Sequence, residues 1–207
     1  YDGNTKSRRV MEKCGFRFHH TEEGKTSPLG DVRTEHFMRI TKEEWESAQH
    51  LSIRPLTEQD IPEMQELFRS TVLHINAKDY TKAEVEDWAS CGNSIEHWKE
   101  LLAKNDYIGM LDGQGCVIGF SSMNAEGYLH SMFVHKDWQG RGVATLLLSE
   151  VEKMARGYGI HKISVEVSIT ARPFFEKRGY KVVKQQKARA NRLYLTNFVM
   201  EKAICTC

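Results

Sequence analysis

Charge of a single sign is what this chain lacks most: 29 Lys+Arg stand against 28 Asp+Glu over 207 residues. That balance removes the global electrostatic case for nucleic acid or an anionic membrane as partner. No apolar run approaches the roughly 20 residues that a membrane-spanning helix needs, and no signal-peptide pattern opens the chain. The five cysteines, Cys14, Cys91, Cys116, Cys205 and Cys207, are odd in number and show no CxxC spacing, so a disulfide framework is not expected. Nine histidines fall in no HExxH or comparable spacing, which argues against a metal enzyme; His19-His20 reads as a polar strand edge. A reducing cytoplasm is the simplest location. The first residue is Tyr1 rather than Met, so the start of the chain is expected not to be the native one.

What is present is enough for a core, with 40% hydrophobic residues. The length allows one large domain or a domain with an appendage, and the pattern favours the second. Residues 1–50 read as a short helix over 7–13 ended by Gly15, a strand starting at Phe16-Arg17-Phe18, and a polar stretch with Gly24, Pro28 and Gly30. A second strand over 34–40 follows, then a capping box at Thr41-Lys42-Glu43-Glu44 that opens a short helix or linker to residue 50.

A fuller pattern begins near Leu51. A strand at 52–54 is stopped by Pro55. Asp60 is expected to cap a helix whose apolar positions Ile61, Met64, Leu67, Phe68, Thr71 and Val72 repeat every three or four residues, with Pro62 in its first turn. Thr81-Lys82-Ala83-Glu84 is a second capping box, and Ser94 starts a third helix with Ile95, Trp98, Leu101 and Leu102 on one side. Strands follow at 107–111, 116–121 and 128–134, separated by turns at Asp112-Gly113 and 124–127. The next helix puts Val143, Leu147, Val151 and Met154 on one stripe. A strand at 162–167 leads to a short helix over 171–178, with Thr170 as cap, Pro173 in its first turn and Gly179 as stop. A hairpin of 180–187 and 193–201 turns at Ala190-Asn191. The order from residue 51 to 203 is β-α-α-α-β-β-β-α-β-α-β-β, an α/β (α+β) domain with a mixed sheet.

The most informative segment joins the strand at 128–134 to the helix after it through His135-Lys136-Asp137-Trp138-Gln139-Gly140-Arg141-Gly142. A glycine-broken turn that opens a helix aims several backbone N–H groups at one spot beside a positive helix end, which suits a phosphate. Alone, Gln139-x-x-Gly142-x-Ala144 is as readily a structural helix start. Its context is more telling: a strand before it, a helix after it, a further strand, and then Ser168-x-x-Ala171-x-x-Phe174-Phe175-Glu176-Lys177-Arg178-Gly179-Tyr180.

Together these segments resemble the GNAT superfamily of acetyl-CoA-dependent N-acetyltransferases. Residues 139–144 are similar to that family's pyrophosphate loop, and 174–180 to its segment ending in lysine, any residue, glycine and an aromatic. Within the superfamily, Asp79-Tyr80-Thr81 with Trp88-Ala89, the run 170–176, Lys184-Gln185-Gln186 and Thr196-Asn197-Phe198 resemble the bacterial YafP-type branch. The implied fold is a mixed, mostly antiparallel sheet flanked by helices, with splayed central strands. The resemblance also reaches residues 1–50. Asn4-x-x-Ser7-x-x-Val10-Met11-Glu12-Lys13-Cys14-Gly15-Phe16 aligns without a gap on 168–180, and it is similar to the C-terminal third of a RimJ/RimL-type module. The implied organisation is a partial module plus linker at 1–50 and a complete domain at 51–207. The partial module would dock its strands on the intact domain or on a neighbouring chain, since isolated hairpins are marginal.

By this resemblance the backbone N–H groups of Gln139, Gly140, Arg141, Gly142, Val143 and Ala144 hold the pyrophosphate of acetyl-CoA. The strand backbone at Met132, Phe133 and Val134 would lie along the pantetheine arm, with Ser168 and Phe175 also beside the cofactor, and an N–H of that strand would polarise the thioester carbonyl. A primary amine with a pKa near ~10 is almost wholly protonated at pH 7, so a base is useful. His130 is the candidate: strand alternation sets Tyr128, His130, Met132 and Val134 on one face, and the run 130–134 is similar to arylalkylamine acetyltransferases, where such a histidine serves in proton removal. The alternative is a packed histidine without catalytic duty. His74 is a lesser candidate.

The family's usual acid, a tyrosine, aligns with Phe175, which has no proton to give. Ser168, Tyr194 or water would substitute, and a thiolate of pKa near ~8.5 leaves tolerably without help. Tyr80, Trp88, Tyr128 and Trp98 fall in the acceptor wall or in the core, while Trp138 is expected to cover the helix start and Thr196 and Asn197 to serve the hairpin. The expected partner is a small-molecule amine, with a homodimer left open. Two other functions compete: a CoA-binding module without turnover, which Phe175 favours, and a protein acetyltransferase, which draws only on the fragment at 1–50.

Overall fold

A computed structural model describes residues 8, 10–12, 14, 16–26, 30–42 and 50–204. The chain divides into two compact units, one of Tyr1–Ser52 with Asp112–Cys116 and one of Ile53–Leu111 with Val117–Cys207. In the first, residues 10–12 are helical, and the Cys14 and Phe16 N–H groups return to the carbonyl of Met11. Strands β1 (Arg17–Thr26) and β2 (Val32–Arg39) then form an antiparallel pair in register from Arg17↔Arg39 to Thr26↔Val32. β1 runs through the polar stretch expected to be a loop, because a register shift between Glu22 and Lys25 absorbs Gly24 at φ +70°. The expected stop at Gly15, Pro28, the helical positions 7, 9 and 13, the linker residues 43–49, Cys205 and Cys207 lie outside the described residues.

The second unit follows the order read from sequence. After β3 (Ser52–Pro55) come α1 (Ile61–Ile75), α2 (Lys82–Ser90) and α3 (Ile95–Lys104), then β4 (Asp106–Leu111), β5 (Val117–Met123) and β6 (Tyr128–Val134). α4 (Val143–Gly157), β7 (Lys162–Ser168), α5 (Arg172–Glu176), β8 (Lys181–Arg189) and β9 (Tyr194–Ala203) complete it. The sheet order is β3-β4-β5-β6-β7-β9-β8. β4–β5, β5–β6, β7–β9 and β8–β9 are antiparallel, and β6–β7 is parallel. The sheet is therefore mixed and mostly antiparallel, flanked by helices.

All seven residues of β5 are buried, so apolar side chains must cover both of its faces. On one face Phe120 meets Trp98 of α3, Tyr107 of β4 and Phe133 of β6 at ring-centroid distances of 5.8, 6.1 and 5.6 Å, while Phe68 of α1 meets Phe133 at 4.9 Å. On the other, Gly119 has no room for a side chain: a Cβ there would meet Val143 and Leu147 of α4 at 2.9 and 3.1 Å. The six apolar positions expected on α1 are all buried, and so are Val143, Leu147 and Val151 of α4.

Some local expectations change. Asp60 does not cap α1 with its side chain. Its carboxylate accepts the Thr57 N–H at 2.8 Å and the Arg54 guanidinium at 2.7 and 2.9 Å, closing the short turn before the helix. The Arg54 charge holds that carboxyl below the ordinary aspartate range. On α3, Trp98 is the buried anchor and Ile95 faces outward, 47% exposed. α5 is shorter than its pattern and Thr170 does not cap it: Thr170 Oγ1 donates to Asp79 at 2.7 Å, while Ser168 Oγ accepts the Ala171 N–H at 3.1 Å.

Phe120→Ala should cost about 3–5 kcal/mol of stability, because Phe120 is fully buried among three rings. Urea unfolding checks this; a loss under about 1 kcal/mol would mean that the aromatic cluster is not the core of this unit.

Candidate active site

β6 and β7 pair only at Tyr128↔Ser164 and Leu129↔Val165, and beyond that the two parallel strands separate. The register on the other side of β6 locates the change. Met123 of β5 faces Leu129 and Ser122 faces Ser131, so His130 is an extra residue without a partner, a β-bulge. A bulged strand bends, and the gap that opens on its far side is part of a cleft of about 830 Å³. Residues 128–134, 142–145 and 165–168, with parts of α1, α2, α5 and β9, line it.

Hydrogen-bond parity shows which backbone groups face the gap. The His135 N–H donates to Ile118 O of β5, so by alternation Phe133 also points its backbone at β5, and Met132 and Val134 point away, toward β7. The Val134 carbonyl is already occupied: Thr71 Oγ1 donates to it at 3.0 Å and Gln139 Nε2 at 2.6 Å. That leaves the Met132 N–H and C=O and the Val134 N–H without a strand partner in the gap.

The bulge also corrects the expected grouping of side chains. Val134 stands opposite Gly119, whose side-chain position faces α4, so Met132 and Val134 belong to the α4 face. Tyr128 and His130 belong to the opposite face, their rings 6.1 Å apart. The extra residue reverses the alternation between His130 and Met132.

His130 is open to the cleft and anchored at one nitrogen. Its Nδ1 lies 2.8 Å from Ser131 Oγ and 3.5 Å from Tyr107 OH, and those two oxygens are 3.4 Å apart. Its Nε2 bonds to no described residue. Desolvation pushes its imidazole below the ordinary histidine value, and the His97 charge pushes the same way against a smaller upward pull from Glu166. Both effects favour the neutral imidazole. Tyr128 is pushed up to about 12, first by desolvation and then by Glu166, so it keeps its proton.

Between β6 and α4 the chain makes a short 3-10 turn at Lys136–Trp138, followed by Gly140 at φ +72° and Gly142 at φ +89°. Gly142 is the N-cap of α4. Its φ, not crowding, demands glycine, since a Cβ there would meet nothing within 4 Å. The N–H groups of Thr145 and Leu146 return to Gly142 O, while those of Val143 and Ala144, at the helix start, have no intrahelical acceptor. Gln139, Gly140, Gly142, Val143 and Ala144 all line the cleft. Arg141 does not; its guanidinium stacks over Trp138 at 4.8 Å. Arg178 was not foreseen. It lines the cleft, donates to Thr145 Oγ1 at 2.6 Å and lies over the Phe174 ring, which adds a positive charge beside the first turn of α4.

The remaining expected residues divide. Ser168 lines the cleft and its Oγ accepts from Asn76 Nδ2 at 3.4 Å as well as from Ala171. Phe175 is buried between Phe174 and Tyr180. Tyr80 is committed to structure: its hydroxyl donates to Thr196 O at 2.7 Å and accepts the Ile169 N–H at 2.9 Å, and burial pushes its ionisation up. Trp88 is half-buried and lines the cleft beside Tyr80 and Phe133. Trp98 also reaches the cleft, but its indole is tied to Gly92 O. His74 donates to Ser70 O and stays outside. Tyr194, at the start of β9, is 59% exposed and outside the cleft. Among the described residues no group of three or more His, Cys, Asp or Glu could hold a metal ion, and no helix is long and apolar enough to cross a membrane.

Comparison with known proteins places this geometry. A family model for the acetyltransferase (GNAT) domain matches residues 76–202. The chain is 32% identical over 152 residues to the N-acetyltransferase YafP of Escherichia coli (strain K12), covering 73% of this chain and 95% of that protein. A GCN5-related N-acetyltransferase of Rhodopseudomonas palustris superposes with a TM-score of 0.72 at 28% identity, over 75% of this chain and 97% of that one. The PaiA N-acetyltransferase of Thermoplasma acidophilum, solved with coenzyme A, superposes with a TM-score of 0.62 at 20% identity, over 75% and 99% of the two chains.

The cleft electrostatics have a direct readout. Titrated by NMR, the His130 ring should show a pKa below about 6.5, and His97→Gln should raise it, because the substitution removes a repulsive charge. A value that stays put in the variant would discard His97 as a contributor.

Proposed function

The chain belongs to the GNAT family of acetyltransferases, and from that premise we propose that its cleft binds acetyl-CoA and passes the acetyl group to the amine of a small molecule. The observation that carries this reading is the gap between β6 and β7. It exposes unpaired backbone groups at Met132 and Val134 and ends on the glycine turn at 140–142. A pantetheine arm offers amides that can take the place of the missing strand. The pyrophosphate then meets the open N–H groups at the start of α4, with the helix end and Arg178 supplying positive potential. Coenzyme A bound to a neighbour of the same fold supports this placement.

In this reading the acceptor enters as an ammonium and gives a proton to His130 Nε2. The ring carries its own proton on Nδ1, the nitrogen held by Ser131 Oγ at 2.8 Å, and Nε2 is free to take the second. The amine nitrogen attacks the thioester carbon, a C–N bond forms, and the oxyanion is met by a strand N–H in the gap, of which Met132 is the candidate. The C–S bond breaks as the attacking nitrogen gives up its second proton, which passes through water to the departing CoA thiolate. Phe175 has no proton to give, and Tyr194 stands too far out on β9 to replace it. Ser168 remains the hydroxyl within the cleft on that side.

Phe175 also supports a second reading, a module that holds CoA without turnover. Thiol release separates the two: mixed with acetyl-CoA and a panel of amines, the protein should release CoA well above the blank with at least one of them. Tight CoA binding with no release across the panel would favour the second reading.

We also propose that residues 1–50 are the C-terminal piece of another such module, closest to the RimJ/RimL type. Helical residues 10–12 followed by the β1–β2 hairpin repeat the order of α5, β8 and β9, which supports it. Proteolytic cleavage between residues 40 and 52 should then leave CoA binding intact, and loss of binding on cleavage would count against it. A cytoplasmic location is part of the same proposal, carried by the odd number and the spacing of the cysteines in the sequence.

His130→Ala should lower kcat by about 10²–10⁴-fold with little change in CoA affinity. The sign of the pH dependence follows from the lowered pKa. The base works when neutral, so kcat should fall only as pH drops through a value below about 6.5, and should show no histidine-dependent loss above it. Wild-type kcat unaffected by the alanine substitution would remove His130 from the chemistry.

A further inference from the structure

The end of the cleft away from the glycine turn is built from acceptor oxygens. Tyr128 stands opposite Ser164 on β7, so Ser164, Glu166 and Ser168 present their side chains on the face that carries Tyr128 and His130. Ser168 stands opposite Asn197 on β9. Asn197 Nδ2 donates to Glu166 Oε2 at 2.9 Å, and that bond fixes the amide, since turning it over would set two oxygens against each other. Asn197 lines the cleft, but its Oδ1 is buried away from it, so the amide positions the Glu166 carboxylate and takes no ligand itself.

Glu166 also lines the cleft. Among the described residues it forms no ion pair with a lysine, arginine or histidine, although its charge reaches both Tyr128 and His130. A carboxylate open to the cleft and steadied by an amide fits an ammonium group with its three N–H bonds. Trp88 and Phe133 line the same cavity and offer apolar surface for a methylene chain.

Resting on the acetyl-transfer reading above, we propose that the acceptor is an amine carrying a second positive charge, with that second ammonium held by the Glu166 carboxylate, which Asn197 positions, while the first reacts beside His130. The arrangement assists the reaction. A cation fixed near the reacting nitrogen disfavours the protonated form of that nitrogen and so eases loss of its proton. The carboxylate at Glu166 offsets the cost of bringing the dication into the cleft.

The test is calorimetric titration of the CoA-loaded protein with 1,4-diaminobutane, 1,5-diaminopentane and n-butylamine, together with thiol release from acetyl-CoA for the same amines. The diamines should bind at least about tenfold more tightly than the monoamine, the size expected for a charge-assisted hydrogen bond. Glu166→Gln should collapse that ratio, and Asn197→Ala should reduce it, while the affinity for CoA holds in both. Equal affinity for diamine and monoamine, or a ratio that survives Glu166→Gln, overturns the proposal. Monoamines acetylated as well as diamines would overturn it while leaving acetyl transfer in place. Selective diamine binding without thiol release would leave the cation site standing and overturn the acetyl-transfer reading instead.

Discussion

One residue inserted into one strand governs the rest of this structure. The bulge at His130 lets β6 pair fully with β5 and only briefly with β7. A sheet whose central strands stayed paired would have every backbone group satisfied and no room between them. Because the strands part, Met132 and Val134 turn unpaired polar groups toward a cavity. The same insertion sets Ser131 on the face that carries Tyr128, His130 and Tyr107. The opening and the hydroxyl that anchors the residue best placed to use it thus have one cause. The sheet holds the opening because β5 is buried on both faces and cannot follow the bend, with Phe120 locked among rings on one side and Gly119 pressed against α4 on the other.

The chemistry that follows depends more on position than on strong acids or bases. On the proposed reading His130 works without an activating carboxylate: Ser131 and Tyr107 orient it, and desolvation, then His97, favour its neutral form. At the leaving group, Phe175 supplies packing where a donor is common in related sites, and a thiolate needs little help to depart near neutral pH. The site therefore asks the protein mainly to bring two reactants together and to receive one proton.

Much of this was legible in the sequence. The order of elements from residue 51 onward and the buried stripes of α1 and α4 followed from periodicity and capping chemistry, because those signals act within a few residues. The glycine turn was legible because positive φ is written into residue type at Gly140 and Gly142. What escaped depends on contacts distant in sequence. The carboxylate of Asp60 is taken by Arg54 and Thr57 before the helix begins, and α5 starts from Ala171 without a side-chain cap because Thr170 is drawn to Asp79, 91 residues away. Tyr80 lines the cleft, but that its hydroxyl ties Thr196 to Ile169 could not be read locally. The bulge itself left no trace: a seven-residue strand with an extra residue looks like any other strand, and assuming strict alternation put His130 and Met132 on the same face.

The two ends of the cleft carry opposite potentials, and this explains why one was easier to read than the other. At one end the positive potential comes from the start of α4 and from Arg178. Most of it is backbone, so it has a local sequence signature and suits any CoA ester. At the other end the negative potential comes from one carboxylate on β7, steadied by an amide on β9. Residues from separate strands, with no motif between them, define that end, and only the fold assembles it. An anionic cofactor and a cationic acceptor would each be drawn to its own end, and they would meet near His130, where neither field dominates. On this view the backbone decides what the cleft can bind as cofactor, and a few side chains on β7 and β9 decide which amine is delivered to it.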